Sequence, residues 1–316
     1  MIERFTAEQS AQREWAWLLA LYLFLGSLGG CLFLLVRLFG LPPSFAVASI
    51  GLVVLGGIVV LIKLGSPQRA WRAMSRPTTS WISRGVLCVA GFIVFGCLSV
   101  APSIAALAWL PWNDGTALGI AFAWVAALFA LLTTIYPGFV VSSARAISFW
   151  NTPLLPLLFF GYAGLAATGA VLIGSSSVPG GVARVVPWTE ALIVVNAALS
   201  AIYLLVMKRT GGSARESVHR LNQGSLGAVY WIGVVLVGLI LPLAALLWLT
   251  TAAVLAGACI QIGALLFRYC VLRAGVYYAP ATLTPVGMDF STLTRTSADF
   301  AHEYAGMAGN SAPGRR

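Results

Sequence analysis

The chain has 316 residues, a formal net charge of +10, 59% hydrophobic residues and only 9% charged ones. Soluble domains carry about 25% charged residues, so this composition excludes a water-soluble globule and makes lipid the solvent. The basic balance does not indicate nucleic acid, because the Lys and Arg residues stand in short links between apolar runs and form no recognition element.

A spanning helix needs about 20 apolar residues. Read in chain order, the sequence predicts an all-α integral membrane protein with eight transmembrane helices in a polytopic bundle: Trp15–Phe39, Phe45–Leu64, Trp81–Ser103, Ala117–Ser142, Leu154–Ile173, Trp188–Met207, Leu226–Leu247 and Thr250–Val271. A polar segment, 1–14, precedes the membrane domain, 15–273, and a polar tail, 274–316, follows it. The first run is long enough to span, which is not the pattern of a cleavable signal peptide. Turn chemistry marks the breaks: Leu41-Pro42-Pro43-Ser44, Pro111-Trp112-Asn113-Asp114-Gly115, and the Ser-, Gly- and Pro-rich stretch from Gly174 to Pro187. No charge falls between Arg220 and Arg268. As one helix that stretch would be about 70 Å long, more than twice the hydrocarbon core, so it folds back once, at Trp248–Thr251 or nearer Pro242.

With this span count, seventeen of the nineteen Lys and Arg residues fall on the face that carries the N-terminus, Arg268 and Arg273 among them, and only Arg37 and Arg184 on the other. The positive-inside rule then puts both termini in the cytoplasm. Small residues recur at packing intervals, Gly26 with Gly30 in the first span and Gly161, Gly164 and Gly169 in the fifth.

The chemistry inside is sparse. Cys31, Cys88, Cys97, Cys259 and Cys270 form no CxxC pair, and read as small buried side chains. The two histidines, His219 and His302, lie outside the apolar runs, so no pair is offered to a membrane haem. Glu190 opens the sixth span, other acids lie in links or tails, and no ionisable group is expected at mid-membrane, which disfavours a carboxylate-coupled transporter. Two tyrosines remain. Tyr22 lies about two turns into the first span and Tyr136 about two turns before the end of the fourth, so both hydroxyls are expected roughly 10 Å deep from the basic face. A phenol there suits either an interfacial anchor or a hydrogen-bond donor to a carbonyl in an apolar slot. Trp15, Trp17, Trp71, Trp81 and Trp150 gather near the same face, as an aromatic belt or as flanks of an entry slot. The links Gly65–Ser80 and Lys208–Gln223 and the tail, with Tyr277, Tyr278, Phe290, Phe300 and Tyr304, form either a solvated surface or a docking surface.

Four segments resemble the polysulfide reductase membrane-subunit family, the NrfD/PsrC type. They are Tyr22-Leu-Phe-Leu-Gly26-Ser-Leu-Gly-Gly30; Leu64-Gly-Ser-Pro-Gln-Arg-Ala-Trp-Arg72 with Arg76-Pro-Thr-Thr-Ser-Trp-Ile-Ser83; Tyr136-Pro137-Gly138 with Phe149-Trp150-Asn151-Thr152-Pro153-Leu154-Leu155-Pro156; and Gly263-Ala-Leu-Leu-Phe-Arg268-Tyr269. The resemblance implies a quinone/quinol-reactive membrane anchor subunit of a multi-subunit oxidoreductase, rather than the chain holding the catalytic centre. Its cofactor would be a quinone, menaquinone or ubiquinone, with no haem or metal in this chain. Its partners would be a ferredoxin-like iron–sulfur subunit and a molybdopterin catalytic subunit, beside the lipid bilayer. Tyr136 matches the family's fourth-helix tyrosine. Tyr22 stands beside Leu18 and Leu21, where some members place Asn and His. Arg84 and Asn151, at matching link–helix junctions, are further candidates for shaping the site or its partner contact. Several family members place their partners outside the cytoplasm, whereas the charge bias predicts cytoplasmic ones here. A small-solute transporter is the competing class.

Overall fold

The computed structural model describes residues 17–63, 78, 80–178, 181–248 and 252–277. The polar segment 1–14, Trp15, nearly all of the Gly65–Ser80 link with Trp71, and the tail from Tyr278 onward lie outside the described residues.

Among the described residues, eight helices are long and apolar enough to cross a membrane. They are α1 (Trp17–Phe39), α2 (Pro43–Lys63), α3 (Trp81–Val100), α4 (Ala117–Ser142), α5 (Leu154–Ile173), α6 (Val186–Thr210), α8 (Val229–Trp248) and α9 (Ala253–Ala274). A ninth, α7 (Gly212–Asn222), is short and amphipathic. The eight expected spans are therefore present, with ends shifted by a few residues. The link after α3 is tightened by two turns of 3-10 helix, Ala101–Ser103 and Ala105–Leu107. Local chemistry sets several boundaries. Ser80 caps α3 by accepting the Ser83 N–H at 3.4 Å, and Thr116 caps α4 by accepting the Gly119 N–H at 3.2 Å.

The spans form two packed groups. In the first, α1 lies against α2 and α4, and α3 joins α4 to α2; in the second, α9 packs on α5 and α8, and α6 packs on α5. The seam is made by α1 and α4 against α5, and α1 against α9. Burial follows this plan: 72% of the apolar window of α1 is enclosed, against 28% for α2, α3 and α6. The outward faces carry large apolar side chains, Ile62, Trp124 and Trp248 being over 70% exposed, as lipid contact requires.

Glycine places the backbones at contact. A Cβ on Gly29 would come within 2.5 Å of the Ser49 carbonyl of α2, and one on Gly30 within 2.6 Å of the Ala130 carbonyl of α4. The α8–α9 crossing is a direct backbone contact between Gly238 and Gly263. In the first span the tightest approaches belong to Gly29 and Gly30, whereas Gly26 has nothing within 4 Å of its own Cβ position, its backbone nitrogen lying 3.5 Å from the Cβ position of Gly56 in α2. In α5, Gly161 and Gly169 are tight and Gly164 makes only ordinary contact with Leu192.

Three features depart from the sequence reading. The link Lys208–Gln223 is largely the helix α7, whose buried face is Ser213, Ala214, Ser217, Val218 and Leu221. The first part of α8, Val229–Ile240, is π-helical, and α8 continues through Pro242 to Trp248. The fold-back before α9 therefore takes the first of the two places expected, between Trp248 and Ala253, and not the one at Pro242. Arg268 is the third departure. It is fully buried and so does not belong to the basic face on which it was counted.

Candidate functional site

α1 leaves the basic end of the bundle and α4 returns to it, which brings Tyr22 and Tyr136 to one level. Their hydroxyls meet at 3.2 Å. Around them, Leu23 and Gly26 of α1, Val53 of α2, Val89 of α3 and Thr133 and Pro137 of α4 line a crevice. With the two hydroxyls bonded to each other it encloses only about 10 Å³. Tyr136 is 8% exposed and Tyr22 is partly buried against the core.

The segment Tyr136-Pro137-Gly138 divides the work among three residues. Tyr136 supplies the hydroxyl. Pro137 lies inside α4 and has no N–H, so the Thr133 carbonyl loses its usual helical donor one turn earlier. The Thr133 hydroxyl oxygen is itself buried with no hydrogen-bond partner. Gly138 lets α5 approach, since a Cβ there would come within 2.6 Å of Pro156 Cα. The crevice wall therefore has a broken helical ladder and an orphaned hydroxyl beside two phenols. Buried polar atoms without partners are rare and costly.

Gly85 completes the site and was not foreseen. A Cβ at this position, near the start of α3, would collide with the Tyr136 ring itself. The missing side chain is thus the seat on which the ring lies. Only the contact identifies it; a glycine after Arg84 carries no sequence signal. Beside it, Trp81 stacks on Phe139 with centroids 5.6 Å apart.

Arg84 and Asn151 do not line the crevice. Arg84 is exposed, donates to the Thr78 carbonyl at 2.6 Å and stacks over the Trp81 ring at 4.8 Å, near the end of the bundle where the tyrosines lie. Asn151 is exposed in the α4–α5 link, its N–H bonded to the Ile147 carbonyl. The neighbouring Trp150 is not a belt residue or an entry flank. It is 1% exposed and donates to the Val271 carbonyl of α9 at 2.9 Å, while Tyr203 of α6 donates to the Phe149 carbonyl. This link is a latch between spans. Trp17 and Trp81 are about two-fifths exposed, and Trp17 packs edge-on to Tyr269.

On the far side of α1 sits Arg268. Its Nη2 donates to Ser27 Oγ at 2.6 Å and to the Phe159 carbonyl at 3.3 Å, and Nη1 to the Ala264 carbonyl at 3.1 Å. The Phe24 and Phe159 rings flank the guanidinium at 5.6 and 5.5 Å, and Nε has no partner. No carboxylate bonds it among the described residues. Arg268, expected at the basic face, is instead a fully buried guanidinium inside the last span. An Arg six residues before a helix end reads as interfacial, and the short polar Ser27 that receives it is silent in a hydropathy profile.

The described residues define a multi-pass helical membrane protein whose Tyr22–Tyr136 pair faces an apolar crevice. The chain belongs to the NrfD polysulphide reductase family, whose model, "Polysulphide reductase, NrfD", matches residues 6–280. It is 29% identical over 314 residues to the protein NrfD of Escherichia coli, covering 83% of this chain and 94% of that one. It is 32% identical over 114 residues to the C chain of the polysulfide reductase of Wolinella succinogenes, with 34% of this sequence and 36% of that one covered. A similar local match, 26% over 116 residues, links it to the NrfD homolog of Haemophilus influenzae, with 35% and 36% coverage.

Proposed function

We propose that the protein is the quinone-reactive membrane subunit of a multi-subunit oxidoreductase, exchanging electrons between the quinone pool and an iron–sulfur partner subunit. The observation that carries this reading is the Tyr22–Tyr136 hydroxyl pair facing the crevice. Its donor set suits an apolar ring bearing carbonyls: two phenolic O–H groups, an orphaned Thr133 hydroxyl, and walls of Leu23, Val53, Val89 and Pro137. Neutral donors in an apolar wall orient such a ligand without the desolvation penalty of a buried charge. Binding pockets commonly enclose roughly 300–1,000 Å³. The ring is therefore admitted only as the two tyrosines part, and each hydroxyl then exchanges its partner for a carbonyl oxygen.

A quinone accepts and returns electrons together with protons. The protein's part is to bind the head group, orient it through Tyr136 and Tyr22, and keep it near the basic end of the bundle. Protons are drawn from water at that end, since the crevice is lined by no carboxylate. Partners dock on the same end. The polysulfide reductase relative, by its name one chain of several, supports a multi-subunit complex. A ferredoxin-like iron–sulfur subunit and a molybdopterin subunit are the proposed partners. The excess of Lys and Arg on this end supports an orientation with it, and both termini, on the cytoplasmic side of a bacterial-type inner membrane.

Tyr136→Phe tests the reading in the purified complex. It removes one neutral hydrogen bond, a loss of about 0.5–1.5 kcal/mol, or roughly 2- to 13-fold in quinone affinity. Unchanged affinity and unchanged quinone-linked turnover would remove Tyr136 from the site.

A further inference from the structure

A second concave site lies outside the tyrosine crevice, where α6 ends and α7 begins. Lys208, in the last turn of α6, faces Arg215 and His219 of α7 across a cavity of about 410 Å³. That volume is within the range of small-molecule sites. Gly212 and Val218 contribute to its walls, and Asn222 and Gln223 add amide groups. Arg215 and His219 are one helical turn apart and therefore share a face of α7.

The charge arrangement favours an anion. One acid, Glu216, lines the cavity, and it is engaged by Arg220 at 3.1 Å, in an i,i+4 pair on the same helix. Arg215 is braced by its Nε, which donates to the Lys208 carbonyl at 3.3 Å. Among the described residues its terminal nitrogens, the Lys208 ammonium and the His219 ring make no hydrogen bond or ion pair. The backbone supports the shape: Gly211 and Gly212 have φ of 80° and 52°, left-handed positions that break the helix directly after α6 and let α7 begin beside it. The opposite face of α7 is fixed by buried Ser213, Ala214, Ser217 and Leu221. The cationic face is thus held on a packed helix and does not hang from a free link.

We infer that the α6–α7 cavity is a binding site for a phosphate group. A fork from Arg215, a point charge from Lys208 and neutral amides at the rim match a phosphodiester or phosphate better than a carboxylate of ordinary size. The site stands at the end of a transmembrane span, the level at which phospholipid head groups lie. A lipid phosphodiester and free phosphate share the chemistry, and the test separates them.

The purified protein in a zwitterionic detergent is titrated with dioctanoyl phosphatidylglycerol, with dioctanoyl phosphatidylcholine and with inorganic phosphate, and thermal unfolding is followed at low ionic strength. Stabilisation by phosphatidylglycerol well below the concentration at which phosphatidylcholine acts, with no response to phosphate, identifies a lipid site. An equal response to inorganic phosphate identifies a free-phosphate site. In either case Lys208→Gln with Arg215→Gln should raise the half-saturating concentration at least about tenfold, since two charge-assisted contacts are lost. His219→Gln alone should raise it less. Arg209→Gln removes the adjacent charge, which does not line the cavity, and should leave the response intact. The proposal is overturned by indistinguishable phosphatidylglycerol and phosphatidylcholine curves with no phosphate effect, or by equal losses in the Arg209 variant and the paired variant. Should the paired variant fail to fold, the single Lys208→Gln and His219→Gln proteins decide between the same outcomes.

Discussion

Arg268 offers a direct measure of how a charge is tolerated inside this bundle. Replacing Ser27 by Ala removes the acceptor that lies 2.6 Å from Nη2 and leaves a buried guanidinium whose Nε already lacks a partner. Hydrogen bonds to charged groups contribute about 1.5–3 kcal/mol. Ser27 is well placed to accept, because its own hydroxyl donates to the Leu23 carbonyl at 2.8 Å. Ser27→Ala should therefore shift the unfolding equilibrium by roughly 13- to 160-fold. Arg268→Met works in the opposite direction. It keeps an unbranched chain between the Phe24 and Phe159 rings and deletes the desolvated charge, a change that is often neutral or stabilising by about 1–4 kcal/mol. The double variant should match Arg268→Met alone, because Ser27 then has no charge to serve. Reversible denaturation in mixed micelles, followed by circular dichroism and tryptophan fluorescence, gives all four corners of the cycle. A fall in Arg268→Met as large as that in Ser27→Ala would refute the reasoning, by showing that the charge contributes net stability.

Two further substitutions probe the crevice. Gly26 has nothing within 4 Å of its Cβ position yet lines the cavity, so Gly26→Leu should preserve the fold while filling the slot; helix propensity alone favours the change by up to about 1 kcal/mol. The apparent KM for quinone should rise at least about tenfold, and unchanged quinone kinetics with a folded protein would place the ligand elsewhere. Gly85→Ala drives a methyl group into the Tyr136 ring. It should lower quinone affinity as Tyr136→Phe does, and adding Tyr136→Phe to it should cost little more; additive losses in direct quinone titration would mean that Gly85 and Tyr136 act independently.

The spans were legible because a run of about 20 apolar residues has no soluble alternative. The shared level of Tyr22 and Tyr136 was legible for a related reason: span direction and rise per residue fix depth, and depth left the two hydroxyls on one level. Depth says nothing about azimuth, however. Spacing alone therefore could not tell that Gly29 and Gly30 touch neighbouring helices while Gly26 opens into the crevice, nor that Gly85 lies under a ring. α7 escaped notice because it is only 11 residues long and polar on average, so that it read as a solvated link between two apolar spans. Arg268 was misplaced by the very rule that gives topology, which assigns an Arg near a helix end to water. Trp150 was misread for the same reason, since an indole near that level is usually interfacial.

The α4–α5 link has a temporal meaning. Phe149 and Trp150 are fixed by Tyr203 and by the backbone of Val271, groups that leave the ribosome about 50 and 120 residues later at the separations seen here. The helices of the first group, with the tyrosine pair, are complete once α4 has been made, but the link behind them acquires its anchors only when α6 and then α9 arrive. A chain stopped short of α9 would carry both tyrosines and yet leave the Trp150 indole N–H without the carbonyl that receives it. The link thus reports on the completeness of the chain, and a truncated product differs from the finished protein at a point well inside its own sequence.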